Sequence, residues 1–118
     1  PQKKKDNKMA NNEIQDWIRS QISSNEVLLF MKGSPEQPQC GFSGQVVQML
    51  NYLQVDFNSV NVLADEEIRS GIKEFSNWPT VPQLYVKSEF VGGADIIKEM
   101  FQEDELLDFF KDKGIKTK

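Results

Sequence analysis

Ile14, Trp17, Ile18 and Ile22 recur three and four residues apart with polar side chains between them, which predicts an amphipathic helix from about residue 11 to 24. The run EVLLFMK, residues 26–32, is continuously apolar between its charged ends, too short for a typical helix and stopped by GSP. It reads as a strand buried on both faces, of the kind found with a parallel neighbour. Phe42, Val46, Met49, Leu50 and Leu53 mark the inner face of a second helix, and VDFNSVNV, with Phe57, Val60 and Val62, is the next strand candidate. Asp65 stands as cap to a helix carrying Ile68, Ile72 and Phe75, which Gly71 weakens modestly.

In NWPTVPQLYVKSEFVGG two prolines bracket Thr80 and Val81, and the short strand QLYV leads through Lys87 and Ser88 to EFVGG, an antiparallel hairpin. From Ala94 onward, Ile96, Ile97, Met100 and Phe101, then Leu106, Leu107, Phe109 and Phe110, mark helical segments ending near Gly114. The order helix, strand, helix, strand, helix, hairpin, helix predicts an α/β fold. A right-handed βαβ crossover followed by an antiparallel pair makes a mixed central β-sheet flanked by helices on both faces.

The 118 residues, 38% hydrophobic, suit a single core. We expect a flexible basic tail over 1–10, one folded domain over 11–112 and a C-terminal tail over 113–118. Lysines crowd the two ends, whereas residues 9–110 hold six Lys or Arg against sixteen Asp or Glu, 6 − 16 = −10. That balance argues against a nucleic-acid surface, which needs a basic face. No apolar run is long enough to cross a bilayer, so no membrane association is expected. The opening PQKKKDNK begins at Pro1 rather than Met and lacks the Arg/Ser-rich pattern of a complete transit peptide, which suggests a fragment or a processed product.

Cysteine arithmetic narrows the chemistry. With Cys40 alone there is no internal disulfide, which fits a reducing intracellular compartment, and with no histidine the chain has no Ser-His or Cys-His nucleophile and no His-ligated metal. Cys40 directly precedes a helix, where unpaired backbone N–H groups and the helix dipole favour a thiolate, and Lys32 at the end of the first strand adds positive charge. The alternative, a thiol buried as a small hydrophobe, accords poorly with the polar loop SPEQPQ before it. In CGFS, Ser43 occupies the place of a resolving cysteine, so the thiol partner must come from outside. Two routes stay open: exchange with a low-molecular-weight disulfide, or ligation of a metal centre completed by ligands from elsewhere.

MKGSPEQPQCGFS, NWPTVPQLYV and GGADI, in that order and spacing, resemble the monothiol glutaredoxins of the CGFS class over about residues 11–112. The resemblance implies a thioredoxin-like fold, glutathione as ligand, and a glutathione-ligated 2Fe-2S cluster held between two protomers for carriage to iron-sulfur recipient proteins, in the mitochondrion or cytosol. Cys40 becomes the cluster ligand and reactive thiol, and Lys32 and Arg69 bind glutathione carboxylates. Thr80, Val81 and Pro82 offer main-chain contacts, Val81 pairing with the cysteinyl part and Pro82 carrying a cis peptide bond. Gly93 and Ala94 open a helix whose N–H groups meet the γ-glutamyl carboxylate, while Asp95 takes its ammonium.

Taken singly, Lys32 and Arg69 read equally well as solvated charges, Asp95 as a helix cap, and Phe42 and Trp78 as core aromatics. Ala94 departs from relatives that carry GGCD, so a regulatory disulfide with Cys40 has no second thiol. Three functions follow: an iron-sulfur carrier, a glutathione-dependent oxidoreductase acting on mixed disulfides through Cys40, and an interaction module with an inert thiol. The last leaves the cap position of Cys40 unexplained.

Overall fold

The computed structural model describes residues 11–118; the basic segment 1–10 lies outside the described residues. The elements run α1 (Asn11–Ser24), β1 (Val27–Met31), α2 (Gly41–Tyr52), β2 (Asn58–Asn61), a 3-10 turn (Val62–Ala64), α3 (Glu66–Ser76), β3 (Gln83–Val86), β4 (Glu89–Gly92), α4 (Ala94–Gln102) and α5 (Glu105–Asp112). The sheet order is β2-β1-β3-β4, with β1 parallel to β2 and antiparallel to β3, and β3 antiparallel to β4. This is the expected mixed sheet. None of the described helices is long and apolar enough to cross a membrane.

Strand β1 shows why its sequence is uniformly apolar. Successive side chains point to opposite faces. Val27, Leu29 and Met31 enter a core with Val46, Leu50, Ile97, Leu106 and Phe110 from α2, α4 and α5, whereas Leu28 and Phe30 enter a second core with Ile14, Ile18, Ile22 and Ile72 from α1 and α3. A strand covered on both faces has no solvent side on which a polar residue could sit. Gly71, which weakens α3 locally, permits the contact between α3 and α1. A Cβ there would lie 3.1 Å from Ile18 Cδ1 and 3.3 Å from Ile14 Cγ2.

Three details differ from the periodicity. The second strand is shorter than VDFNSVNV, because Val62 turns into the 3-10 segment and is buried there. The last helical stretch is two helices, broken at Asp104, whose φ of 62° is left-handed. Residues 113–118, expected to form a tail, run back along the domain: Ile115 is buried, its N–H donates to the Phe110 carbonyl at 2.9 Å, and the Lys118 N–H donates to the Leu53 carbonyl at 2.8 Å.

Candidate functional site

The loop between β1 and α2 is built to present Cys40. Gly33 has φ +89°, and a Cβ there would fall 2.5 Å from the Gln37 carbonyl, so the tight return needs glycine. The Gly33 N–H donates to Asn61 Oδ1 at 2.9 Å, and the Gln39 N–H returns to the Lys32 carbonyl at 2.9 Å. Cys40 then sits in extended conformation (φ −154°, ψ 135°) as N-cap of α2, its carbonyl accepting from the Gly44 N–H at 2.9 Å. Ser43 is fully buried and accepts the Lys32 N–H at 3.1 Å, which ties the first turn of α2 to the end of β1. The position of a resolving thiol is thus a structural hydroxyl.

The thiol makes no capping hydrogen bond of full geometry. It nevertheless lies close enough to the helix start for the Ser43 N–H, foremost, to hold its pKa below the ordinary thiol value. Partial burial opposes this, and the Phe42 N–H, the Lys32 charge and the Ser43 hydroxyl reinforce it. The sign is that of a depressed acid. The stabilising interactions of the thiolate are complete above the unfolded thiol's pKa of about 8.5 and are lost as the pH falls through the folded value. Alkylation rate against pH should therefore show a midpoint below about 8.5, and Lys32→Met should move it upward; a wild-type midpoint at or above the unperturbed value contradicts the electrostatics.

Beside the thiol loop lies a cleft of about 150 Å³ lined by Phe42, Trp78, Thr80, Val81, Pro82, Gly93, Ala94, Asp95 and Ile96. The Val81–Pro82 peptide is cis. Val81 buries its side chain in the α1/α3 core, while its N–H and C=O carry no hydrogen bond to any other described residue. A buried residue with an unpaired main-chain edge is ready to pair with an extended ligand. Gly93 caps α4 against the far wall, where a Cβ would stand 3.0 Å from Trp78 Nε1 and 3.4 Å from the Pro82 carbonyl, so a side chain would crowd the cleft. Asp95 is exposed in the first turn of α4.

The structure thus gathers six of the sequence-predicted residues, Thr80, Val81, Pro82, Gly93, Ala94 and Asp95, into one cleft, with Phe42 at its edge. Lys32 and Arg69 are half-buried on β1's exit and on α3; they do not line the cleft, and among the described residues neither makes an ion pair. Phe42 and Trp78, read most simply as core aromatics, are cleft-lining, and Phe42 is 57% exposed. Gln83 escaped the sequence reading altogether. Its only signal was an amide at the head of an apolar strand, and in the structure it is fully buried beneath the cleft loop. A wider groove of about 780 Å³ lies between α2 and α4–α5, lined by Tyr52, Lys98, Phe101 and Lys118 among others. It contains none of the thiol, carboxylate or main-chain groups singled out above, so the smaller cleft is the better candidate. Among the described residues no three Cys, Asp or Glu side chains converge as a metal site.

Comparison with known proteins bears on the family and the fold. A family model described as Glutaredoxin matches residues 27–91. The chain is 55% identical over 96 residues to the monothiol glutaredoxin ycf64-like protein of Synechocystis sp., covering 81% of this chain and 90% of that protein. It is 53% identical over 103 residues to monothiol glutaredoxin-5, mitochondrial, of Lachancea kluyveri, covering 85% and 72% respectively. Its fold superposes on the solution structure of a monomeric truncated mutant of Trypanosoma brucei 1-C-Grx1 with a TM-score of 0.79 at 41% identity, covering 93% of this chain and 96% of that one.

Proposed function

The chain belongs to the glutaredoxin family as a monothiol member with the thioredoxin-like fold, and we propose that it binds glutathione in the Thr80–Asp95 cleft and carries a glutathione-ligated 2Fe-2S cluster between two copies. The cluster is cargo, passed on to iron-sulfur recipient proteins. The observation that carries this reading is the thiol count. One accessible Cys40 stands at a helix start beside the cleft, and the neighbouring Ser43 is a buried hydroxyl. A 2Fe-2S cluster takes about four thiolates; two chains with two glutathiones supply them.

The residues suit that ligand set. Cys40 holds its thiolate toward solvent under the pull of the Ser43 and Phe42 N–H groups. Val81 offers a main-chain donor and acceptor to the cysteinyl backbone of the tripeptide. The start of α4 presents N–H groups to one carboxylate and Asp95 faces the ammonium, while Lys32 and Arg69 complement the other carboxylate from outside the cleft. Bound glutathione supplies the second thiolate at each protomer. A free working thiol suits a reducing compartment, and the reading is the same for mitochondrion or cytosol.

A second reading has its own support in the lowered pKa of Cys40. As an oxidoreductase the thiolate would attack a glutathione mixed disulfide, forming a new S–S bond to the glutathionyl sulfur and releasing the other thiol as thiolate; a second glutathione would then restore Cys40 and leave as glutathione disulfide. The visible spectrum of protein purified without oxygen, with and without glutathione, separates the two. A coloured, glutathione-dependent species supports carriage. A colourless protein active on mixed disulfides supports the oxidoreductase.

Arg69→Ala should weaken glutathione-dependent cluster assembly by on the order of 1–2 kcal/mol, the range for a charge-assisted contact near solvent, with the fold intact by circular dichroism. Assembly at the wild-type glutathione concentration would remove Arg69 from the site.

A further inference from the structure

The loop that ends in the cleft edge hangs on one side chain. Gln83, the first residue of β3, is fully buried. Its Nε2 donates to the Thr80 carbonyl at 3.0 Å and, more weakly, to the Trp78 carbonyl at 3.4 Å, while its Oε1 accepts the Tyr85 hydroxyl at 3.1 Å. Only one orientation of the amide satisfies all three partners, since the two carbonyls cannot donate. Tyr85 is itself fixed in the core between Phe30, at 5.7 Å and T-shaped, and Phe75. Nearby, the Ser76 hydroxyl accepts the Trp78 N–H at 3.1 Å and donates to the Ile72 carbonyl at 2.9 Å, which anchors the start of the loop.

No other described side chain hydrogen-bonds to Thr80, Val81 or Pro82. Thr80 and Pro82 flank the Val81 edge, and Trp78 stands across from Gly93 in the same cleft. A buried polar side chain whose donors both meet loop carbonyls is costly to keep unless satisfied, and its satisfaction fixes the loop.

We propose that Gln83 is a positioning residue: by holding the Trp78 and Thr80 carbonyls inward it turns the Val81 main chain out as a fixed edge for the ligand of the cleft. The consequence for affinity rests on the reading that this ligand is glutathione; the ordering of the loop does not. Gln83→Met keeps the length of the side chain and removes both donors. In protein free of ligand, 15N relaxation should show lower order at Thr80 and Val81 in the variant while β1 and β4 are unchanged. In titrations with reduced glutathione followed by amide shifts, Kd should rise about tenfold, the effect of one to two lost hydrogen bonds. Tyr85→Phe, which leaves both loop carbonyls bound, should raise Kd less than about threefold.

Wild-type order and wild-type Kd in Gln83→Met would overturn the proposal, as would an equal loss in Tyr85→Phe. If Gln83→Met does not fold, Gln83→Glu, which keeps the shape and the acceptor and lacks the pair of N–H donors, is judged by the same two measurements. A wild-type protein that fails to bind glutathione would refute the glutathione reading, and the relaxation data would then decide the role of Gln83 alone.

Discussion

Cys40→Ser is expected to abolish the visible absorption and the dimer together when the protein is reconstituted with iron, sulfide and glutathione. The reason is arithmetic. The chain contains no second cysteine and no histidine, so no other side chain can supply the missing thiolate or an imidazole in its place. The apo protein should be chiefly monomeric, and the loaded wild type should contain one cluster and two non-covalent glutathiones per dimer, because the cluster is itself the bridge. Oxygen or a chelator should return it to monomer. Serine preserves the size of the side chain and the extended cap conformation, so the apo variant should keep its fold and its thermal midpoint. Analytical ultracentrifugation with iron and glutathione assays decides the matter: a cluster-loaded monomer, a loaded dimer without glutathione, or a coloured Cys40→Ser dimer would each defeat the model.

The largest stability effect should come from the strand that carries the site. Phe30 is fully buried, stacks edge-on to Tyr85 at 5.7 Å and lies opposite Gln83 in the β1–β3 pairing. Phe30→Ala removes a whole ring from a core closed by α1 and α3, and the backbone on either side is held in the sheet, so collapse of the cavity is restricted. The loss should be about 3–5 kcal/mol, a large part of the stability of a domain this size. Urea denaturation with an unchanged slope measures it. A loss below about 1 kcal/mol would mean that the core around Tyr85 repacks freely, against the close packing expected of protein interiors.

Phe30 and Tyr85 also show how far the linear pattern reached. The apolar run of β1 and the alternation of three- and four-residue spacings in α1 and α3 name the elements because burial on one or two faces leaves a direct periodic trace. The same holds for Cys40: a lone thiol directly before a helical run announces a cap, and the structure has it there. Local punctuation that depends on one residue type was legible too, including the stop of β1 at GSP and the proline-bracketed Thr80–Val81 segment.

Contacts between distant segments leave no such trace. Nothing in the spacing of residues shows that Asn61 bonds the Gly33 N–H, that Ser43 accepts from Lys32, or that Gly71 is the gap through which α3 meets α1. Lys32 and Arg69 looked equivalent to Asp95 on charge alone, yet only Asp95 lies in the cleft. Phe42 and Trp78 share the composition of core aromatics and are cleft walls because the loop and α4 stop short of covering them. Gln83 is the clearest case, a polar residue in an apolar strand whose partners are two carbonyls of the preceding loop and a hydroxyl two residues on. Periodicity reports which face of an element is buried; which atoms meet across that face is set by the packing of all the elements together, and that only the tertiary structure decides.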